Sequence, residues 1–228
     1  MNLLLVFATL KEAESFFGTS LAAKQGEVFT LQQKHLTVEV LVTGITILNS
    51  ALFLSKLLSK KTYDLILNLG IAGVFASSGY NLGETVLCKR EVWPELGVEV
   101  KGKVKRSLLK FPLWAEENIE QEIFLEVDKG LKVLGKDLAY PRVSSLTVST
   151  VTGSRERADF LAQEYRVEIE NMEGFALAYT ALIYGIPFLE VRTLSNIVGS
   201  REKKDWDLKG AFRSLHQLYK EIFEEWKN

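Results

Sequence analysis

The chain has 228 residues, of which 47% are hydrophobic and 25% are charged. Its 28 basic and 29 acidic side chains give a net charge of −1, so we expect no global attraction to nucleic acid or to an anionic membrane. The one cysteine, Cys88, excludes an intramolecular disulfide and is predicted to be a buried structural thiol. Residues 1–8 are apolar but too short for a membrane span, and they lack a basic leader region. We therefore predict a cytoplasmic, globular protein with one domain over residues 1–228.

Short apolar runs alternate with longer amphipathic segments. The runs predict strands at residues 3–8, 28–32, 36–43, 65–69, 84–89, 146–150 and 188–194. Helical spacing predicts helices at residues 11–17, 47–59, 155–164, 172–184 and 208–226. In the second helix one broad packed face is expected, made of Leu48, Ala51, Leu52, Leu54, Ser55 and Leu58. The alternation predicts an α/β layered domain with a largely buried sheet.

Two charged runs interrupt this pattern in the middle of the chain. Residues 101–110 carry five basic side chains and no acid, and residues 116–128 carry six acids. A solvated loop and an exposed helix face account for the two runs without a function.

Three places combine strand ends with glycines and polar side chains, as the active sites of α/β proteins require. The first is the segment that contains Glu12 and Glu14, just past the first strand. The second is residues 70–73, where Gly70 and Gly73 follow an apolar strand and allow a backbone to approach a ligand closely. No Gly-Lys-Ser/Thr follows, so this segment is not a phosphate-binding P-loop.

The third place is the start of an apolar helix, where Glu173 precedes the small residues Gly174 and Ala176. A carboxylate at the start of so apolar a helix is hard to explain as a surface feature. Ser195 and Asn196 follow the next strand and add polar groups at the same edge of the predicted sheet.

Taken in order, the Glu12 segment, the 70–73 segment and residues 172–174 resemble the purine nucleoside phosphorylase and nucleosidase superfamily. Methylthioadenosine/adenosylhomocysteine nucleosidases have Ser-Asp after the last strand, whereas this chain has Ser195 and Asn196. With residues 93–99, 150–153 and 206–207, the pattern is most similar to the futalosine hydrolases. The resemblance implies a three-layer α/β sandwich with a central mixed, partly barrel-like sheet flanked by helices.

The resemblance also implies hydrolysis of an N-glycosidic bond, with hypoxanthine released from futalosine in an alternative menaquinone pathway. It implies that Glu12 activates water, with Glu14 as the alternative, that Glu173 binds the ribose hydroxyls and that Met172 covers the sugar. The base is expected against Thr150 and Val151, and Ile71, Ala72 and Gly73 are expected to bind the substrate. We further expect that the protein needs no cofactor and no metal and that it forms a homo-oligomer.

Asn196 bears on the choice of base. A protonated aspartate at this position suits adenine, because it donates to N7 and accepts from the 6-amino group. The Asn196 amide is always neutral, and its nitrogen can donate towards both N7 and O6 of a 6-oxopurine. We therefore expect Asn196 to favour hypoxanthine over adenine.

Three more functions are compatible with the sequence. A phosphorylase usually holds phosphate with arginines near its glycine loops, and the first arginine of this chain is Arg90, so hydrolysis is favoured. A methylthioadenosine/adenosylhomocysteine nucleosidase and a non-catalytic purine-binding protein are the second and third.

A 5′ substituent could contact Trp93, Phe111 or Trp114 together with Arg201 or a lysine. His35 and His216 are expected to be structural or exposed.

Overall fold

The computed structural model describes residues 1–33, 36–115 and 119–223. Its helices are α1 (Leu10–Phe17), α2 (Ile47–Leu58), α3 (Val127–Leu134), α4 (Arg155–Tyr165), α5 (Gly174–Ile183) and α6 (Leu208–Phe223). Its strands are β1 (Asn2–Phe7), β2 (Val28–Gln33), β3 (Leu36–Val42), β4 (Leu65–Val74), β5 (Thr85–Val92), β6 (Val98–Val100), β7 (Lys103–Lys105), β8 (Glu122–Phe124), β9 (Arg142–Thr147), β10 (Ile169–Asn171) and β11 (Phe188–Ile197).

Nine of the described strands form one mixed sheet, and part of that sheet is closed. The order is β10-β9-β5-β11-β4-β1-β3-β2, with β8 paired to β5. Strand β10 also pairs with β4 in antiparallel orientation, so β4, β11, β5, β9 and β10 form a ring. This closure confirms the expected mixed, partly barrel-like sheet.

Helices pack on both faces of the sheet, as strand β1 illustrates. Leu3, Leu5 and Phe7 belong to a core shared with α1, α3 and α6, whereas Leu4 and Val6 pack with α2 and α5. Successive side chains of a strand point to opposite faces, and a strand that is buried on both faces is apolar throughout. The three-layer arrangement is therefore confirmed.

Several predicted boundaries differ from the structure where they bear on function. Strand β4 continues through residues 70–73, so these residues do not form the expected loop. Strand β11 continues to Ile197 and includes Asn196, whereas β9 ends at Thr147 and leaves Thr150 in the connection that follows. Helix α5 begins at Gly174, two residues later than predicted.

The middle of the chain is where the sequence prediction is least accurate. Residues 103–105 and 122–124 form β7 and β8 rather than the expected loop and helix face. Residues 116–118 and 224–226 lie outside the described residues. Strand β10, helix α3 and the β6–β7 hairpin were not predicted.

Of the face predicted for α2, only Leu54 and Leu58 are buried. Leu48 and Leu52 are 74% and 57% exposed, and the buried residues of this helix are Ser50, Leu54 and Leu58. The spacing of four places those three residues on one side of the helix, and that side packs against α5.

The ranges that the structure describes contain no helix long and apolar enough to cross a bilayer. Cys88 is fully buried as predicted. Burial, followed by the nearby Glu190 carboxylate, raises the pKa of its thiol well above the ordinary value, which is consistent with an inert structural role.

Phe16 of α1 offers a test of how the first and last helices are held together. Its side chain is fully buried, and its ring centroid lies 5.4 Å from those of Phe7 and Tyr219. Replacing Phe16 with alanine should lower the free energy of unfolding by about 3–5 kcal/mol, measured by urea denaturation. Phe111, which is 74% exposed, is the matched control. If Phe16→Ala lowered the free energy of unfolding no more than Phe111→Ala does, this packing would be contradicted.

Candidate functional site

A cavity of about 230 Å³ lies where α1, β4, β10 and β11 meet. Eight of the predicted site residues line it: Glu12, Ile71, Ala72, Gly73, Val151, Met172, Glu173 and Asn196. Thr150 is exposed and is not among the lining residues. Glu170, Trp206 and Phe212 also line the cavity, although they were not predicted as site residues.

A larger groove of about 690 Å³ lies elsewhere, beside β8 and the end of α4. Its Arg90 is bonded to Glu122 and to the carbonyl oxygens of Tyr165 and Arg166. Because several buried acids converge on the smaller cavity, we place the candidate site there.

Glu12 is held at the start of α1 by a capping box. Its Oε2 accepts hydrogen bonds from the backbone N–H of Thr9 at 2.9 Å and from the Thr9 hydroxyl at 2.6 Å. Its Oε1 accepts from the N–H of Ile71 at 2.9 Å. The residue pattern Thr-x-x-Glu is a helix-start signal, and here the same carboxylate also reaches the cavity.

Glu14 is held differently. Its Oε1 accepts from the backbone N–H of Leu21 at 3.2 Å, and it does not line the cavity. This placement favours Glu12 over Glu14 as the acid of the site.

Gly70 makes room for the buried charges of the site. A Cβ at this position would lie 2.5 Å from Glu12 Oε1 and 2.7 Å from Arg192 Nη1. In the sheet, Gly70 is the register partner of Arg192. Its missing side chain therefore allows a carboxylate and a guanidinium to approach the same point of β4.

Arg192 lies beside Gly70 and Glu12 without lining the cavity, and no role was assigned to it from the sequence. It is 1% exposed, and its Nε donates to Glu190 Oε1 at 2.8 Å. Burial alone would lower the pKa of Arg192, but Glu190, Glu173 and Glu12 raise it above its ordinary value. The expectation that no arginine lies near the glycine segment was therefore incomplete, because the strand register brings one there.

Glu173 lies at the start of α5 and is 6% exposed. Its Oε1 accepts from the backbone N–H of Thr46 at 3.0 Å. Thr46 has a φ of 84°, a strained conformation for a β-branched residue, and this bond holds it in place. Burial raises the pKa of Glu173 to about 7, with Arg192 lowering it and Glu12 raising it.

The backbone of Glu173 is fixed by a buried polar network. Asn171 Oδ1 accepts from the N–H groups of Glu173 and Gly174 at 2.8 and 2.7 Å. The Asn171 amide nitrogen donates to Glu91 Oε1 at 2.8 Å, and the Thr147 hydroxyl lies 2.6 Å from Glu91 Oε2. Burial and then Glu190 raise the pKa of Glu91 well above its ordinary value.

Asn196 lies in β11 directly beside Gly73 of β4. The Ser195 hydroxyl lies 2.9 Å from Asn196 Oδ1, and the amide nitrogen makes one long bond of 3.4 Å to the carbonyl of Ile197. The same Ser195 hydroxyl also lies 3.1 Å from the carbonyl oxygen of Ala72, and the amide nitrogen keeps a hydrogen that it can donate to a ligand.

The remaining sequence candidates lie apart from this cavity. Trp93 packs on Phe175, and Phe111 is exposed. Neither of them, nor Trp114 or Arg201, is among the lining residues. His216 contacts the backbone, with its Nδ1 3.0 Å from the carbonyl oxygen of Phe16, and His35 lies outside the described residues.

One group of possible metal ligands occurs among the described residues, namely Cys88, Glu91 and Glu190. All three are buried, and the two carboxylates already have protein partners in Arg192, Asn171 and Thr147. The guanidinium supplies the positive charge that a cation would otherwise bring. That no metal is needed stays a prediction.

Comparison with known proteins agrees with this geometry. Residues 6–224 match the family described as the Phosphorylase superfamily. The chain is 32% identical over 186 residues to futalosine hydrolase of Thermus thermophilus, with 81% of this chain and 80% of that protein covered. It is 30% identical over 194 residues to futalosine hydrolase of Acidothermus cellulolyticus, with 84% and 78% covered.

Two solved structures show the same fold. A futalosine hydrolase mutant of Helicobacter pylori superposes with a TM-score of 0.79 at 17% identity, covering 99% of both chains. The methylthioadenosine/adenosylhomocysteine nucleosidase of the same organism, with butyl-thio-DADMe-Immucillin-A, gives a TM-score of 0.76 at 15% identity and covers 99% of this chain and 98% of its own. The chain belongs to the phosphorylase superfamily and, within it, to the futalosine hydrolase family.

Proposed function

We propose that this protein hydrolyses the N-glycosidic bond of futalosine and releases hypoxanthine and dehypoxanthine futalosine, a reaction of menaquinone biosynthesis. The observation that carries the proposal is the meeting of Glu12, Glu173 and the neutral amide of Asn196 around one cavity. The names of the two relatives that are 30% or more identical support the choice of substrate.

The chemistry follows from the charges that develop as the bond breaks. The ribose becomes cationic while the base leaves with negative charge, so acceptors belong at the sugar and donors at the base. Glu12 takes a proton from the attacking water, whose oxygen bonds to C1′ of the ribose. The bond from C1′ to N9 breaks, and the net result transfers hydroxide to the sugar and a proton to the base.

Glu173 and Met172 are assigned to the sugar. The Glu173 carboxylate accepts hydrogen bonds from the ribose hydroxyls and lies near the developing cation, while Met172 covers the apolar face of the ring. Val151 and residues 71–73 line the base, and Asn196 donates from its amide nitrogen towards N7 and O6 of hypoxanthine.

The charge around Arg192 favours water over phosphate as the nucleophile. This guanidinium faces Glu190, Glu173 and Glu12, so its positive charge is already opposed by several carboxylates. A dianionic phosphate would be repelled by those carboxylates. Hydrolysis is therefore the better fit than phosphorolysis.

A methylthioadenosine/adenosylhomocysteine nucleosidase is the second candidate. One such enzyme, from a Geobacillus species, is 24% identical over 184 residues. Asn196 argues against adenine where its amide nitrogen faces position 6 of the base, because that nitrogen would meet the 6-amino group donor to donor.

We further propose that the protein is a cytoplasmic homo-oligomer that acts as one nucleosidase domain without a cofactor or metal. Helix α2 exposes Leu48 and Leu52, and Ile45, which is 51% exposed, also lines the cavity. An apolar surface that adjoins a site in this way is a suitable place for a second subunit, which could contact the 5′ substituent.

Glu12→Gln tests the assignment of the general base. Glutamine still satisfies the capping box but cannot accept a proton from water, so kcat should fall by about 100-fold or more. Release of hypoxanthine from futalosine, followed by chromatography, measures this. Glu14→Gln is the matched control and should keep kcat near the wild-type value. Wild-type turnover by a folded Glu12→Gln protein would remove Glu12 from this role.

The pH dependence tests Glu173. Its pKa is raised to about 7, so the carboxylate form that binds the ribose hydroxyls is lost as the pH falls below that value. We expect kcat/KM to decline below about pH 7, since this parameter reports ionisations of the free enzyme. Glu173→Gln should lower kcat/KM and abolish this acidic limb. A Glu173→Gln variant that kept both the wild-type kcat/KM and its decline at low pH would show that another group titrates.

Asn196→Asp tests the choice of base. A carboxylate at this position repels the O6 lone pairs of hypoxanthine, and a mismatch of this kind costs about 2–4 kcal/mol. Hypoxanthine release should therefore fall by about 30-fold or more, and any gained activity should be towards adenine nucleosides. The measurement is kcat/KM for hypoxanthine and adenine nucleosides with the same 5′ group, with Asn81→Asp on the surface as control. A wild-type preference for the adenine compound would contradict the futalosine assignment.

A further inference from the structure

Glu170 is a buried acid of the cavity to which the proposed reaction assigns no role. It is 6% exposed and lines the same cavity as Asn196. Its neighbours in the chain, Asn171 and Glu173, are explained by the network at the start of α5, but its own carboxylate takes no part in that network.

The strand register places Glu170 and Asn196 on either side of one glycine. In the antiparallel pair of β10 and β4, Glu170 is the partner of Gly73. In the pair of β11 and β4, Asn196 is the partner of Gly73. Directly opposed residues of neighbouring strands project to the same face of a sheet, so both side chains border the space above Gly73.

Gly73 keeps that space open. A Cβ at this position would lie 2.8 Å from Val198 Cγ2 and 3.2 Å from Asn196 Nδ2. Because Gly73 has no Cβ, a flat ring can lie over β4. Its polar edge then lies between the amide donor of Asn196 and the carboxylate acceptor of Glu170.

The Glu170 carboxylate is oriented by Thr152. Its Oε1 accepts from the Thr152 N–H at 3.0 Å, and its Oε2 accepts from the Thr152 hydroxyl at 2.5 Å. A carboxylate has about four acceptor positions, so two remain for a ligand. Burial raises the pKa of Glu170, and the hydrogen bonds from Thr152 lower it.

A 6-oxopurine and adenine differ at the ring position beside their exocyclic group. Hypoxanthine carries a hydrogen on N1 next to O6, whereas N1 of adenine is a bare acceptor. A donor that reads O6 therefore needs an acceptor beside it to read N1–H. An apolar neighbour would leave that N–H without a partner.

We propose that Glu170 is a specificity-determining residue that accepts a hydrogen bond from N1–H of the 6-oxopurine whose N7 and O6 are bound by Asn196. This inference rests on the proposed function and deepens it. The same carboxylate faces the lone pair of N1 when adenine is bound, so it disfavours adenine as well as stabilising hypoxanthine.

The test compares futalosine with its 6-amino counterpart, because the two substrates differ only in the base. In Glu170→Gln, the ratio of kcat/KM for the 6-oxo over the 6-amino compound should fall by about 10-fold or more. Glu164→Gln is the matched control, since it makes the same change at an exposed acid that does not line the cavity. It should keep the ratio.

A second measurement needs no variant. Hypoxanthine and 1-methylhypoxanthine are compared as inhibitors of the wild-type enzyme, because methylation removes the N1 hydrogen. We expect 1-methylhypoxanthine to inhibit at least about 10-fold more weakly. Equal inhibition by the two bases would overturn the proposal.

The outcomes separate this inference from the proposed function. An unchanged substrate ratio in a Glu170→Gln enzyme that still cleaves futalosine overturns the role of Glu170 and leaves the proposed function standing. A wild-type protein that cleaves neither nucleoside overturns the proposed function, and this inference with it.

Discussion

Arg192 is a cation buried beneath the cavity, and several features of the site depend on how its charge is balanced. An unpaired charge in a protein interior costs several kcal/mol, and the bond to Glu190 offsets part of that cost. Glu173 and Glu12 also lie within its electrostatic reach. One guanidinium thus lies near three carboxylates, and burial still raises the pKa of Glu173 to about 7 although Arg192 lowers it.

The closed part of the sheet brings these groups together. Because β4 pairs with β11 on one side and with β10 at its far end, side chains from three distant parts of the sequence meet over one strand. That strand contributes glycines where its neighbours contribute large polar side chains. Gly70 lies beside Arg192 and Glu12, and Gly73 lies beside Asn196. The glycines of β4 therefore make room for the polar groups of the site, and they also allow a ligand to approach the backbone closely.

The sequence predicted those features that depend on local pattern. Strand β1 was readable because burial on both faces leaves an uninterrupted apolar run, whereas the role of Glu12 was assigned from the family resemblance of the segment that follows that strand. The three residues of β10 are too few to show a period. Arg192 and Glu170 acquire their significance from register with Gly70 and Gly73, and register across a sheet cannot be read from one strand alone. The packed face of α2 was misjudged for a similar reason, since both sides of that helix are apolar and only the contact with α5 distinguishes them.

Two of the acids that line the cavity, Glu12 and Glu173, lie at the starts of helices. The first N–H groups of any helix lack partners within it, and Thr9 and Glu12 satisfy each other at the start of α1. At the start of α5, the N–H groups of Glu173 and Gly174 are satisfied by Asn171, which Glu91 holds in turn. A Cβ on Gly174 would lie 2.4 Å from Glu91 Oε1, so only glycine leaves room for that buried acid. The bonds that begin α1 therefore fix the carboxylate of Glu12, whereas the bonds that begin α5 fix the backbone of Glu173, whose carboxylate is held by the N–H of Thr46.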